Sequence, residues 1–108
     1  MSVKVVSKRV GMSPIKIRRS LGLIRGKTAK DALDILKLIP SPAAREVAKV
    51  VKSAMANAEN NLFQDPVGLK VIKAVADDGP KAKRFRPQSR GRISPILKRT
   101  SHITVTLE

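Results

Sequence analysis

Between residues 79 and 99 the chain reads GPKAKRFRPQSRGRISPILKR, which holds eight Lys or Arg and no carboxylate, with strand-forming sequence on either side. This arrangement leaves few folds open. LKVIKAV at 69–75 is β-branched with lysines interrupting it, and ITVTL at 103–107 alternates, setting Ile103, Val105 and Leu107 on one face and His102, Thr104 and Thr106 on the other. Two strands joined by a long basic connection predict one extended hairpin. Folding the run symmetrically places the turn near Gln88-Ser89-Arg90-Gly91, where Gly91 supplies a positive φ. The arm then projects beyond its strand bases by about 30 Å, at about 3.3 Å per residue. An isolated two-stranded ribbon is marginal in water. Pro80, Pro87 and Pro95 lack ladder donors and the cations repel one another, so the free arm is expected to be mobile until it meets a polyanion.

The charge of the whole chain points the same way. Its 108 residues carry a formal net charge of +15. Residues 1–30 hold nine basic and no acidic groups, residues 31–78 hold six basic and seven acidic, and residues 79–108 hold eight basic and one acidic. Two basic ends thus enclose a nearly neutral middle. Self-repulsion at this charge density argues against a merely solvated surface and for nucleic acid as the partner.

One small domain fits this length, with a body at 1–78 and 98–108 and the arm at 79–97. Three helices are placed by their caps. The first opens at Ser13-Pro14, carries Ile17, Leu21 and Ile24 inward, and stops at Gly26, with Lys16, Arg18, Arg19 and Arg25 outside. The second opens at Thr28 with Asp31 in the box-like third position, turns Ala32, Leu33 and Leu36 inward, and ends before Pro40. The third opens at Ser41-Pro42 and runs to about Asn61, with Ala44, Val47, Val51, Ala54, Ala58 and Leu62 at helical spacing. Its small residues, Ala43, Ala44, Ala48, Ala54, Ala56 and Ala58, admit close approach of a sheet. Val3-Lys4-Val5-Val6 supplies a third strand. The prediction is an α+β fold, three helices packed on one face of a small three-stranded antiparallel sheet, with a long basic β-hairpin arm extending from it and the opposite sheet face open to solvent or RNA.

Catalysis and metal binding find no support. Without Cys and with a single His, the chain has neither a thiolate site nor a histidine cluster for zinc, so no metal and no cofactor are expected. Asp77 and Asp78 are adjacent, which on a strand points them to opposite faces; they read as the end of a strand and the start of a turn at Gly79-Pro80. There is no phosphate-binding glycine loop, no nucleophile elbow and no second histidine for a triad, so no enzyme and no small-molecule substrate is expected. Neither a secretory apolar region nor an 18-residue apolar span is present, which suggests a cytoplasmic product.

A chemical role attaches to the basic residues by position. Lys8, Arg9, Lys16, Arg18, Arg19, Arg25 and Lys27 mark one RNA-binding group, and Lys81, Lys83, Arg84, Phe85, Arg86, Arg90, Arg92, Lys98 and Arg99 mark the other. Arginine forks to two phosphate oxygens and stacks on bases, which favours Arg84, Arg86, Arg90, Arg92 and Arg99 over the lysines. Phe85 either stacks on an exposed base or packs across the ribbon, the second being the plainer reading. Phe63 reads as core, His102 as a hydrogen-bonded strand residue rather than a phosphate contact, and Asn57, Asn60 and Asn61 as helix-end residues rather than RNA readers. A DNA-bending protein with a basic β-arm is the rival reading, with Pro87 or Pro95 wedged into a minor groove, but no dimer face is evident. A membrane-surface protein is disfavoured, since the arm lacks an interfacial Trp, Tyr or Leu face.

Ser13-Pro14, Leu23-Ile24-Arg25-Gly26-Lys27, Ser53-Ala54, Ala56-Asn57-Ala58-Glu59-Asn60-Asn61, Asp78-Gly79-Pro80, Lys83-Arg84-Phe85-Arg86-Pro87 and Lys98-Arg99-Thr100-Ser101-His102-Ile103-Thr104-Val105 occur in that order. This series resembles the bacterial large-ribosomal-subunit protein twenty-two family over nearly the whole chain. The resemblance implies a structural protein that binds large-subunit ribosomal RNA, touches neighbouring large-subunit proteins and aids assembly, acting without forming a homo-oligomer or meeting a membrane. It also implies that the arm reaches inward and that its tip lines the nascent-peptide exit tunnel. By motif the tip spans 84–92, and its tunnel-lining residues are Arg86, Pro87, Gln88, Ser89, Arg90, Gly91 and Arg92. Gln88 and Ser89 stand where the family commonly has Arg then Ala, which lowers the charge of the tip. Ile15 stands where Arg commonly follows Ser-Pro, which removes one phosphate contact from the first helix.

Overall fold

Ser13, Thr28 and Ser41 each precede a helix: α1 (Pro14–Ile24), α2 (Ala29–Leu38) and α3 (Pro42–Asn61). The computed structural model describes residues 3–61, 68–87, 91 and 93–108, and for 9, 61, 82–87 and 93–98 it describes the backbone alone. Thr28 Oγ1 accepts a hydrogen bond from Asp31 N–H at 3.2 Å, and Ser41 Oγ accepts one from Ala43 N–H at 3.2 Å, so both satisfy donors that a helix start leaves orphaned. Ser13 makes no such bond; Pro14 at the first turn presets φ there. After α1 the chain reverses at Gly26, whose φ of 79° lies in the left-handed region. Thr28→Ala is expected to cost about 1 kcal/mol, a fall of about 4–8 °C in melting temperature for a domain of this size, read by thermal unfolding followed by circular dichroism.

The five strands are β1 (Val3–Val10), β2 (Val71–Asp78), β3 (Ala82–Pro87), β4 (Ile93–Lys98) and β5 (Ser101–Leu107). They form a three-stranded antiparallel sheet in the order β1-β5-β2 and a separate two-stranded sheet of β3 and β4. All three helices lie against the first sheet or one another: α3 crosses β1 and β5, α1 runs beside β2, and α2 packs on α3 and α1. Ile17, Leu21 and Ile24 of α1, Ala44, Val47, Val51, Ala54 and Ala58 of α3, and Ile103, Val105 and Leu107 of β5 are wholly buried. Alanines in α3 let its backbone approach the sheet, and among the described residues the core is filled by aliphatic side chains alone. Ala56 faces solvent instead, and Leu33 is only partly buried. Leu62 and Phe63 lie outside the described residues.

Three strand expectations need correction. β1 extends to Val10 rather than ending at Val6, because a register irregularity between Ser7 and Val10 lets the chain stay paired with β5 past two charged residues. Thr104 and Thr106 are buried at 7% and 9% exposure, so the sheet face away from the helices is less open than simple alternation implies. β5 is the central strand, and side chains on both neighbours cover it. Finally, no turn begins at Gly79-Pro80.

Instead the strand pairing steps across this junction. Gly79 N–H donates to Thr100 O at 2.9 Å, and Thr100 Oγ1 donates to Pro80 O at 2.6 Å. A Cβ on Gly79 would stand 2.5 Å from Thr100 Oγ1 and 3.2 Å from its carbonyl, so only glycine lets the two chains close here. Pro80 then interrupts the ladder because it has no N–H. From Asp78↔Ser101 to Ala82↔Lys98 the chain takes four steps on one side and three on the other, a bulge between the two sheets. The β3–β4 register runs from Ala82↔Lys98 to Pro87↔Ile93, and Gly91 has a φ of 72°. The radius of gyration is 16.7 Å, against about 13 Å for a compact chain of this length.

Candidate nucleic-acid interface

Helical geometry gives α1 three working faces. Ile17, Leu21 and Ile24 enter the core. Lys16, Arg19 and Leu23 lie on a second face, which borders a groove of about 540 Å³ shared with the α2–α3 connection. Arg18 and Arg25, seven residues apart, lie on a third face toward β2.

That third face binds the protein itself. Arg18 donates from Nε and Nη2 to Ala76 O at 3.2 and 2.9 Å, and Arg25 Nε donates to Ala74 O at 2.9 Å. Both carbonyls belong to β2, an edge strand of its sheet. The loop after α1 continues the cover: Gly26 N–H donates to Val71 O, and Val71 N–H donates to Lys27 O, both at 2.8 Å. An edge strand otherwise offers its free backbone groups to other chains. The sequence marked Arg18 and Arg25 for RNA; the structure adds a task for them that no local pattern announces.

The other cations marked for RNA whose side chains are described stand exposed. Lys8 is on β1, Lys16 and Arg19 are on α1, Lys27 follows it, and Lys81 and Arg99 flank the junction to β3 and β4. Among the described residues the only ion pair joins Lys49 Nζ to Glu46 Oε1 at 3.4 Å. None of these six cations therefore has a carboxylate within ion-pair distance among the described residues. Two groups result, one around α1 and one at the junction. Lys83, Arg84, Phe85, Arg86, Pro87 and Lys98 are placed by backbone on β3 and β4, and their side chains lie outside the described residues, as does that of Arg9. Gln88, Ser89, Arg90 and Arg92 lie outside them altogether.

The model of the family described as ribosomal protein L22p/L17e matches residues 5–108. The chain belongs to this family of large-subunit ribosomal proteins. The Large ribosomal subunit protein uL22 of Dehalococcoides mccartyi strain BAV1 is 50% identical over 107 residues, covering 99% of this chain and 98% of its own length. The uL22 protein of Synechococcus sp. strain JA-3-3Ab is 50% identical over 105 residues, covering 97% of this chain and 85% of its own length. The L22p/L17e family is structural, not enzymatic. Among the described residues no cluster of His, Cys, Asp and Glu could hold a metal ion, and no helix is long and apolar enough to cross a membrane.

In this L22p/L17e chain Ile15 is 60% exposed on α1, a surface position from which an Arg would reach solvent. Asp77 and His102 are cross-strand partners, and Asp78 pairs with Ser101. The aspartates finish β2 and form no paired-carboxylate site. One structural residue escaped the sequence reading: Ser101 is fully buried, and its hydroxyl donates to Met12 O at 2.5 Å, tying the β1–α1 connection to β5. A lone serine beside a strand gives no hint of a partner 89 residues away.

Proposed function

We propose that this L22p/L17e protein is a structural constituent of the large subunit in the cytoplasm, where it binds large-subunit ribosomal RNA and aids assembly. On this reading the β3–β4 hairpin is an arm that enters the RNA, and its tip at 86–92 lines the nascent-peptide exit tunnel. The observation that carries the reading is a two-stranded ladder, separate from the body's sheet, lying within a run, 79–99, that holds eight cations and no carboxylate. A thin ribbon with side chains on both faces can neutralise two walls of an RNA crevice at once. Each phosphate met by Lys or Arg releases condensed counterions. Lys81 and Arg99 extend the same charge to the base of the arm, and Lys8, Lys16, Arg19 and Lys27 supply a second contact on the body. One copy per particle suffices, with neighbouring large-subunit proteins and the nascent peptide as its other partners.

Competition at matched salt tests the proposal. Large-subunit ribosomal RNA should outcompete random duplex DNA, the protein should co-sediment with large subunits, and a crosslinker at the tip should capture nascent chains. Equal or better binding to duplex DNA would favour the DNA-bending alternative. For the free protein, amide protons of β3 and β4 should exchange much faster than those of α3, because a two-stranded ladder broken by Pro87 and Pro95 has no third strand to hold it. Hydrogen exchange read by mass spectrometry checks this, and comparable protection would mean that the arm is rigid before it binds.

A further inference from the structure

The groove beside α1 has properties that the general cationic surface does not. Its volume, about 540 Å³, falls in the range of sites that take small ligands. One wall is apolar, made by Met12, Leu23, Ile39 and Pro42. Leu23 is 53% exposed there, an uncovered aliphatic surface beside two cations. Ser20 also lines the groove and is only 4% exposed, and its hydroxyl makes no hydrogen bond among the described residues. A buried hydroxyl without a partner costs free energy unless a ligand or water meets it. The groove also holds the start of α3. That 20-residue helix has no carboxylate in its first turn, whereas α2 has Asp31 in its own, so apart from the Ser41 Oγ cap on Ala43 N–H no negative charge in the first turn of α3 offsets its positive dipole end. Lys16 and Arg19 stand at the same place.

We propose that this groove accepts one unstacked nucleotide of a single-stranded RNA segment. The phosphate sits by the α3 N-terminus between Lys16 and Arg19, Ser20 Oγ donates to a phosphate or ribose oxygen, and the base lies on the wall of Leu23, Ile39 and Pro42. An anion subsite and an apolar shelf side by side match a nucleotide, which joins a phosphate to a flat, weakly polar ring. A plain phosphate contact would leave the shelf bare. With no fixed donor or acceptor on the shelf, the site is tolerant of base identity. The inference rests on the RNA-binding reading above.

The test uses the full-length protein labelled with ¹⁵N, titrated separately with 5′-phosphorylated diadenylate, adenosine, inorganic phosphate and tetraglutamate. The dinucleotide should shift the amides of residues 16–23 and 41–45 and bind at least tenfold more tightly than any of the other three. Leu23→Glu, a surface change, should weaken it at least tenfold with helicity unchanged. Ser20→Ala should weaken it several-fold without lowering the melting temperature. On large-subunit ribosomal RNA, Leu23→Glu should erase one short patch of hydroxyl-radical protection and leave the rest intact. Tetraglutamate binding as tightly as the dinucleotide, no amide shifts with the dinucleotide, or an unaltered footprint in Leu23→Glu overturns the nucleotide site alone. Absence of any footprint from the wild-type protein overturns the RNA-binding reading as well.

Discussion

Deleting residues 82–96 is expected to lower affinity for large-subunit ribosomal RNA by on the order of 10²-fold near 0.1 M salt while leaving the body folded. The deletion removes Lys83, Arg84, Arg86, Arg90 and Arg92. If each meets a phosphate, the slope of log affinity against log salt should become shallower by about 3.5–4.5, at about 0.7–0.9 per contact. The body should survive because the Gly79–Thr100 and Thr100–Pro80 bonds lie outside the deletion, and β5 keeps both of its partners. Filter binding over a salt series gives the slope, and circular dichroism reports the body. An unchanged slope with weaker binding would mean that the arm acts by shape and that the α1 surface carries the charge contacts.

Replacing Arg18 and Arg25 together by Ala should cost about 2 kcal/mol of stability, at about 1 kcal/mol for each part-exposed charged donor. The corresponding drop in melting temperature is about 10 °C for a domain of this size. The physical cause is local: Ala74 O and Ala76 O lose their partners, and the outer side of β2 becomes an open edge that invites pairing between copies. Replacing Lys16 and Arg19 together by Ala makes a charge-matched comparison, since both are exposed and their side chains donate no hydrogen bond among the described residues; the melting temperature of that variant should barely move. Differential scanning calorimetry separates these variants, and light scattering on warming should show the double variant associating first. Equal melting temperatures for all variants would reduce Arg18 and Arg25 to surface cations like the rest.

How legible each part of the molecule was depended on how far its physics reaches along the chain. Helix starts were readable because a cap and its target lie within three residues, as with Thr28 and Asp31, and so was β5, whose alternation runs over six residues from His102 to Leu107. The motif series was readable for a different reason: many short patterns in one order are hard to meet by chance. The strand-edge contacts of Arg18 and Arg25 were not readable because their acceptors lie 58 and 49 residues away, and a basic residue on a helix surface looks the same whether it faces phosphate or a strand edge. β1 looked short because Ser7, Lys8 and Arg9 break the apolar pattern, although backbone pairing to β5 does not need apolar side chains. Burial of Thr104 and Thr106 followed from β5 taking the central place, which no single strand's sequence declares. The groove was invisible for a similar reason, since it is assembled from two segments that share no motif.

The central place of β5 also orders events during synthesis. β1 and β2 touch β5 but are not neighbours of each other, and β5 follows every other described element. While the first hundred residues emerge, two strands wait with no partner, and the helices have only half a surface to pack on. Closing the sheet joins Val3 to Leu107 across almost the full sequence, a contact of high separation that makes folding slow. The most basic stretch therefore leaves the ribosome before the body that is to carry it exists. Until β5 has emerged, the growing protein is a cationic chain whose three-stranded sheet cannot close.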